Sequence, residues 1–405
     1  MMQNYEQQFK SLTDIGSIGR GKSKHRPRND PSLYGGDHPF IQTGDVKAAS
    51  FYLSSYSQTY NERGLAQSKL WQPGTLCITI AANIAETAIL KIPACFPDSI
   101  IGFLPKRDVA DVRFVKYCLD TYKQQMQSIS QGTTQDNLSQ EKLLGIKFKI
   151  PSFQDQQKIA AALSAYDDLI ENNCRRIELL EQIAEELYRE WFVRFRFPGY
   201  QQVKFKKGSP STWQKKKFGE FCGLKRGYDL PDAQIEDGRF PIIASTSIKA
   251  SHNQFKVEPP VICTGRSGSL GTVLFVNERA WPLNTALYVQ KFYGNSPYII
   301  YFTLKNMGLA SFNSGAGVPS LNRNHLNGIL IAVPDKTLQQ AFDKHVSVLF
   351  EQKEQLVEAC KSLEKARDAL LTRLISGTLP VDQLDIQFPT SMREADTARQ
   401  EVAHA

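Results

Sequence analysis

The residues most suited to chemistry in this 405-residue chain are cations set among small and turn-forming neighbours. Arg20, Lys22, Lys24, Arg26 and Arg28 alternate with Gly21, Ser23, His25 and Pro27, a composition expected of a basic, flexible loop that neutralises phosphates. An ordinary solvated loop has the same composition. A second set lies far along the chain, where residues 265–271 read GRSGSLG. Arg266, Ser267 and Ser269 stand there among glycines that let a backbone approach a polyanion closely. Walker A needs Gly-Lys-Ser/Thr entering a helix, and none follows, so a tight β turn is the structural expectation. Residues 314–320 (SGAGVPS) form a similar close-approach loop, with Asn322 and Arg323 beside it. Lys204, Lys206, Lys207 and Lys215, Lys216, Lys217 add positive charge between them, for phosphate contact or for solubility alone. The stretch 54–63, with Asn61 and Arg63 at its end, is an ordinary polar loop or a set of groups for base edges and phosphates.

Catalytic constellations are missing from the sequence. There is no Asn/Asp-Pro-Pro-Tyr/Phe motif of an amino-methyltransferase, no metal-ligand cluster, and only six scattered histidines. Pro231-Asp232 lacks the downstream Glu-x-Lys of a nuclease core. The seven cysteines are never paired as Cys-x-x-Cys, which argues for reduced thiols and against a disulfide framework or zinc site. Neither a signal-peptide core nor an 18-residue apolar run is present, so a soluble, cytoplasmic protein without membrane contact is expected.

Two long helices must position these loops. Ile159, Leu163, Tyr166, Ile170, Asn173, Ile177, Leu180, Ala184, Leu187 and Trp191 advance by four and three residues in alternation, a heptad seam on a helix of roughly 60 Å. Phe342, Val346, Leu349, Lys353, Leu356, Cys360, Leu363, Arg367, Leu370 and Leu374 repeat that seam 183 residues later. Core packing between helices is the expected role of these residues. Asn173 is a polar seam residue of the kind that fixes register. Lys353 and Arg367 break the second seam and could snorkel, pair with the acidic first helix or face a partner subunit.

The duplication extends upstream. Gly132, Leu138, Leu143, Gly145, Ile146 and Pro151 correspond to Gly315, Leu321, Leu326, Gly328, Ile329 and Pro334, and Phe96-Pro97 matches Trp281-Pro282. Strands are expected at 39–46, 76–80, 261–264 and 272–275, a short strand or turn at 12–18 and a helix at 113–128. The fold class is therefore α/β or α+β, with an internal pseudo-two-fold repeat: body 1–151, helix 152–197, body 198–334, helix 335–377 and a tail 378–405, polar and disordered from 388. Of the net +8, residues 1–151 carry +5 and residues 192–334 carry +11, whereas the first helix carries −5 and the second is neutral. The bodies thus suit a polyanion and the helices suit each other or other proteins.

This duplicated order resembles the specificity subunits of Type I restriction-modification systems, often called HsdS. The resemblance rests on residues 39–45 (PFIQTGD), the 132–151 pattern with its second copy, 187–192 (LYREWF) running to 197–199 (FPG), 265–271, and 370–377 (LLTRLISG). It implies two target recognition domains, each reading one half of a bipartite site in double-stranded DNA, and an antiparallel coiled coil that sets the distance between halves. It also implies no catalysis or cofactor in this chain. Two methyltransferase subunits would modify adenine using S-adenosylmethionine, and restriction subunits would use ATP and Mg2+. A coiled-coil scaffold whose bodies bind proteins is the alternative.

Overall fold

The computed structural model describes residues 8–130, 138–206, 208–315, 317–381 and 385–389. Helices α1 (Val112–Thr121), α2 (Phe153–Tyr188), α3 (Pro297–Asn306) and α4 (Lys336–Ser376) organise it. The chain divides into two compact units, residues 1–175 with 356–405, and residues 176–355. Each unit combines one body with part of α2 and part of α4.

In the first unit a five-stranded sheet runs in the order Gly16–Arg20, Ile100–Pro105, Leu76–Thr79, Thr87–Leu90 and Tyr52–Leu53. Leu76–Thr79 and Thr87–Leu90 are buried along their whole length, so they do not alternate between apolar and polar residues. A four-stranded sheet is built around Tyr34–Phe40, which pairs in parallel with Ala94–Cys95 through Phe40 and Cys95. Gln8–Lys10 pairs with Phe148–Ile150, so the chain start is already tied down at residue 8.

The second unit repeats the plan with one strand fewer in each of its two larger sheets. Gly223–Arg226, Ala286–Lys291, Val261–Gly265 and Val273–Val276 form one sheet, and Phe240–Ile243 pairs in parallel with Trp281–Pro282. Gln214–Lys217 pairs with Leu330–Val333 as Gln8–Lys10 does with its partner.

Several local expectations change. The strand expected over 39–46 stops at Phe40, and Thr43–Ala48 is helical because Asp45 closes a capping box on the Gln42 N–H at 2.7 Å. Residues 12–15 form a helical turn capped by Ser11 and Asp14, followed by the strand. The helix expected over 113–128 is two, α1 and Lys123–Ser130, broken at Tyr122, with Asp111 capping α1 through the Arg113 and Phe114 N–H groups. The first long helix widens into a π-helical turn at Arg189–Val193, so Trp191 leaves the regular heptad. In the tail, Val381 is buried and Leu379 and Ile386 pack on the first core, while residues 390–405 lie outside the described residues.

The most telling duplicated contact is polar. Gln156, in the first turn of α2, is 1% exposed; its carbonyl accepts the Asp111 N–H at 3.0 Å and its amide donates to the Val109 and Pro151 carbonyls. Gln339, in the first turn of α4, is 3% exposed, accepts the Ser296 N–H at 2.9 Å, and donates to Pro334 and Asn295. Asp111 and Ser296 are the N-caps of α1 and α3, so in each unit one glutamine joins the long helix to the cap of the body's helix.

Between α2 and α4, apolar seam residues alternate with ion pairs. Ile159, Leu163 and Leu374 are buried in the first core, with Leu370 packed on it. Ala184, Phe342, Val346 and Trp191 are buried in the second, with Leu187 and Leu349 packed on it. Ile170 is buried, and Ile177, Leu180, Leu356 and Leu363 are half-buried. Lys353 and Arg367 pair with the first helix: Arg367 Nη1 meets Asp167 at 2.5 Å, and Lys353 Nζ meets Glu181 at 2.5 Å.

Replacing Gln156 or Gln339 with leucine leaves buried N–H and C=O groups without partners, at about 1–3 kcal/mol for each orphaned group. Both variants are expected to melt lower, with faster amide exchange at Asp111 in the first and Ser296 in the second. Wild-type melting and exchange would show that the amides do not hold the helix to the body.

Candidate nucleic-acid interface

The basic loop of the first unit is pinned, not free. Gly21 follows the strand Gly16–Arg20, and a Cβ there would strike the carbonyl oxygens of Phe96 and Pro97. Its N–H donates to the Ile100 carbonyl at 2.9 Å. The Arg28 guanidinium grips both Asp98 carboxylate oxygens at 2.7 Å, and Arg20 Nε donates to the Asp98 carbonyl at 3.2 Å. Arg26 folds onto its own loop, donating to the Ser23 and His25 carbonyls. Tyr34 donates its hydroxyl to the Arg28 carbonyl, and burial pushes its pKa up to about 12, so it stays a neutral donor. Ser32, through its backbone N–H and its side chain, holds the half-buried Asp30 carboxyl below its usual range. Lys22 and Lys24 are exposed, and among the described residues neither has an ion-pair partner. Beneath the loop lies a cavity of about 330 Å³ lined by Ser23, Arg28, Tyr34, Gln42, Gln58 and Ser99, among others.

Asn61 has a structural use. Its carbonyl oxygen caps the helix Glu62–Ala66 through the Arg63 and Gly64 N–H groups, and its amide donates to the Ser32 and Tyr34 carbonyls. These bonds occupy both amide hydrogens. Arg63 is exposed on that helix.

In the second unit the two glycine-containing loops come together. The Gly268 N–H donates to Pro319 at 2.9 Å, the Leu321 N–H to Arg266 at 2.8 Å, and Ser267 bridges to Ser320. Arg266 is half-buried, and its Nε donates to the Asn284 carbonyl at 2.8 Å, which braces the loop. Ser245 donates its hydroxyl to the Ser267 carbonyl at 2.6 Å. Gly268 and Ser269 face solvent at the tip, with Asn322 and Arg323 exposed beside them. Asn322 caps the helix Arg323–Asn327, and Arg323 donates to the Leu224 carbonyl. Lys206 and Lys216 stand on two other short strand pairs, opposite Ser209 and Ile331. Lys207 lies outside the described residues.

The duplication uncovers residues that the motifs did not. Arg226 and Gly227 are the counterparts of Arg20 and Gly21: a Cβ at Gly227 would strike the Pro282 and Leu283 carbonyls, as one at Gly21 strikes Phe96 and Pro97. Arg226 Nη2 donates to Asp229 at 3.4 Å, and Asn284 bonds Asp229 as well. The first unit has its own tip loop at 81–86. Ala82 and Ala85, three apart, take φ of +60° and +63°, as Gly268 and Gly271 take +92° and +102°. Thr79 donates its hydroxyl to the Asn83 carbonyl and accepts the Glu86 N–H at 2.9 Å, and Thr264 donates to the Thr272 carbonyl. The Leu138 N–H donates to Ile80 at 2.9 Å, matching Leu321 and Arg266. Fixed N–H groups and small side chains at such tips suit a phosphate backbone. Among the described residues no group of three or more His, Cys, Asp or Glu is placed to hold a metal, and no helix is long and apolar enough to cross a membrane.

A family model described as the Type I restriction modification DNA specificity domain matches residues 4–182 and 210–359. The specificity subunit of the type I restriction enzyme MjaIX from Methanocaldococcus jannaschii is 27% identical over 409 residues, covering 93% of this chain and 94% of that protein. A putative type I specificity subunit from Mycoplasma genitalium is 25% identical over 282 residues, covering 65% of this chain and 70% of that one. The crystal structure of a type I restriction-modification S subunit from M. genitalium shares the fold, with a TM-score of 0.53 at 17% identity over 92% of this chain and 97% of that one.

Lys22→Ala with Lys24→Ala is expected to weaken binding to duplex DNA of any sequence, and to lower the slope of log K against log salt by about 0.9 for each phosphate no longer neutralised. An unchanged slope would remove the pair from the interface.

Proposed function

Because the chain belongs to the family of Type I restriction-modification DNA specificity proteins, we propose that it is the sequence-reading subunit of such a complex, each body reading one half of an asymmetric, bipartite DNA target. The observation that carries this is the duplicated tip, in which a body-spanning hydrogen bond (Leu138 to Ile80, Leu321 to Arg266) holds a loop containing two left-handed residues three apart. The architecture is common to both bodies, and its side chains are not. The first tip loop reads AANIAE over 81–86, whereas Arg266, Ser267 and Ser269 lie in the second. Different side chains on one frame favour different half-sites.

In this reading the basic excess of both bodies neutralises phosphates, while the two long helices pair as an antiparallel coiled coil and set the separation of the halves. The Asp167–Arg367 and Glu181–Lys353 ion pairs support the pairing. Two methyltransferase subunits, supplying S-adenosylmethionine chemistry at adenine N6, dock on the helical regions, and restriction subunits bring ATP- and Mg2+-dependent cleavage. The chain itself is non-catalytic and works in the cytoplasm. Its sequence carries neither a methyltransferase motif nor a Walker A loop, which supports assigning the chemistry to partners.

Methylome sequencing of a host co-expressing this chain with its methyltransferase subunit tests the proposal. The expected result is N6-methyladenine in both halves of a split, asymmetric target, lost when this chain is omitted. A stable complex that methylates nothing and does not bind DNA would favour a protein-binding scaffold, and a perfectly palindromic target would contradict the two-reader account.

A further inference from the structure

One row of the α4 seam is nearly blind to register. Leucine occupies positions 349, 356, 363 and 370, so a shift of α4 against α2 by one heptad replaces leucine with leucine along that row, while the other row reads Val346, Lys353, Cys360, Arg367 and Leu374. The charged seam residues are not blind to it. Glu181 follows Asp167 by fourteen residues, and Lys353 precedes Arg367 by fourteen, so both ion pairs belong to one antiparallel register. After a one-heptad shift, Arg367 would stand at Ala160 or Cys174 and Lys353 at Cys174 or Tyr188. None of these is acidic, so either shift strips both cations of their α2 carboxylates and leaves Arg367 only the exposed Asp368 of its own helix, at 2.9 Å.

Burial raises the stakes of that loss. The Asp167 side chain is 3% exposed and also accepts the Tyr117 hydroxyl, which ties it to the first body. Arg367 is 21% exposed and Lys353 24%. Burial pushes the Asp167 carboxyl above its usual pKa, against the opposing pull of Tyr117 and Arg367, so its charge depends on those partners. A buried charge that loses its partner is far more costly than an exposed one. Asn173, the seam residue whose type suggested a register lock, is half-buried, and its side chain has no hydrogen bond among the described residues.

We propose that Asp167–Arg367 and Glu181–Lys353 form a two-point lock that selects one register of the long helices, and so fixes the number of base pairs between the two half-sites. The base-pair consequence rests on the function proposed above; the lock itself does not. One heptad is about 10.5 Å of helix, or about three base pairs at about 3.4 Å each.

The test removes the polar specification and keeps the packing. Asp167, Arg367, Glu181 and Lys353 are changed to leucine together with Tyr117→Phe, which leaves no hydroxyl orphaned. Replacing buried ion pairs with apolar side chains is often neutral or stabilising while the specifying charges are removed. Spin labels at Ala165→Cys and Lys365→Cys, exposed positions on α2 and α4 within the first unit, report register in a Cys174→Ser background. The parent is expected to give one narrow distance distribution, and the leucine variant a second, displaced population. Methylation at the wild-type spacing should fall several-fold, with new targets about three base pairs longer or shorter. A single, parent-like distance distribution in the leucine variant overturns the lock. Displaced labels in a chain whose parent directs no methylation would uphold the lock and overturn the functional reading. Should the leucine variant fail to fold, Glu181→Lys and Lys353→Glu decide: each alone should broaden the distribution and the two together narrow it again, and equal behaviour of single and double variants overturns the lock.

Discussion

A glutamine amide buried beside a helix start must be fully hydrogen-bonded, and this requirement fixes each body to its long helix. Gln156 and Gln339 meet it in the same way, through the N–H of the residue that caps the body's own helix and through the carbonyl of the proline that ends the preceding strand segment. Apolar packing alone would allow the helix to rotate or slide at small cost, because one aliphatic surface replaces another. The amide has only one orientation that satisfies all its partners. The direction in which each long helix leaves its body is thus set where the two meet.

From that anchor the rest of each unit follows. α1 and α3 pack against the central sheet, and in the first unit the buried run Leu76–Thr79 leads directly to the tip loop. In the second unit Val261–Gly265 does the same. The glycines at 21 and 227 let the chain pass the carbonyls of residues 96–97 and 282–283 at a distance no side chain tolerates, directly after Arg20 and Arg226 end their strands. Cations and backbone N–H groups are held by the fold at one end of each body, and an extended polyanion can meet them without a large ordering cost.

Much of this was legible in the sequence because it repeats. The heptad positions, the prolines at 151 and 334 and the glycine stop at 377 are local signals, and the long helices follow them closely. Arg226 escaped because the offset between copies is not constant: Gly21 maps to Gly227 across 206 residues, whereas Pro151 maps to Pro334 across 183. The first body has longer connections between these points, and a single offset misaligns the start of the second. Asn61 shows a different limit. An asparagine after a polar run has the chemistry of a base reader and of a helix cap, and only the fold shows that its amide is engaged locally. The meeting of loops 266–269 and 317–320 is a contact between residues about fifty apart, with no local signature at either end. The partners of Lys353 and Arg367 were open for the same reason, since a cation in a seam does not name its carboxylate.

In the proposed function this chain touches DNA at two separate places, once with each body. Hydroxyl-radical footprinting of the assembled complex on its methylated target measures this directly. The account predicts two protected patches of unlike sequence separated by a cleaved spacer, with the first patch fading in a Lys22→Ala, Lys24→Ala complex and the second in an Arg323→Ala complex. One continuous patch, or two patches that respond together to either change, would contradict it.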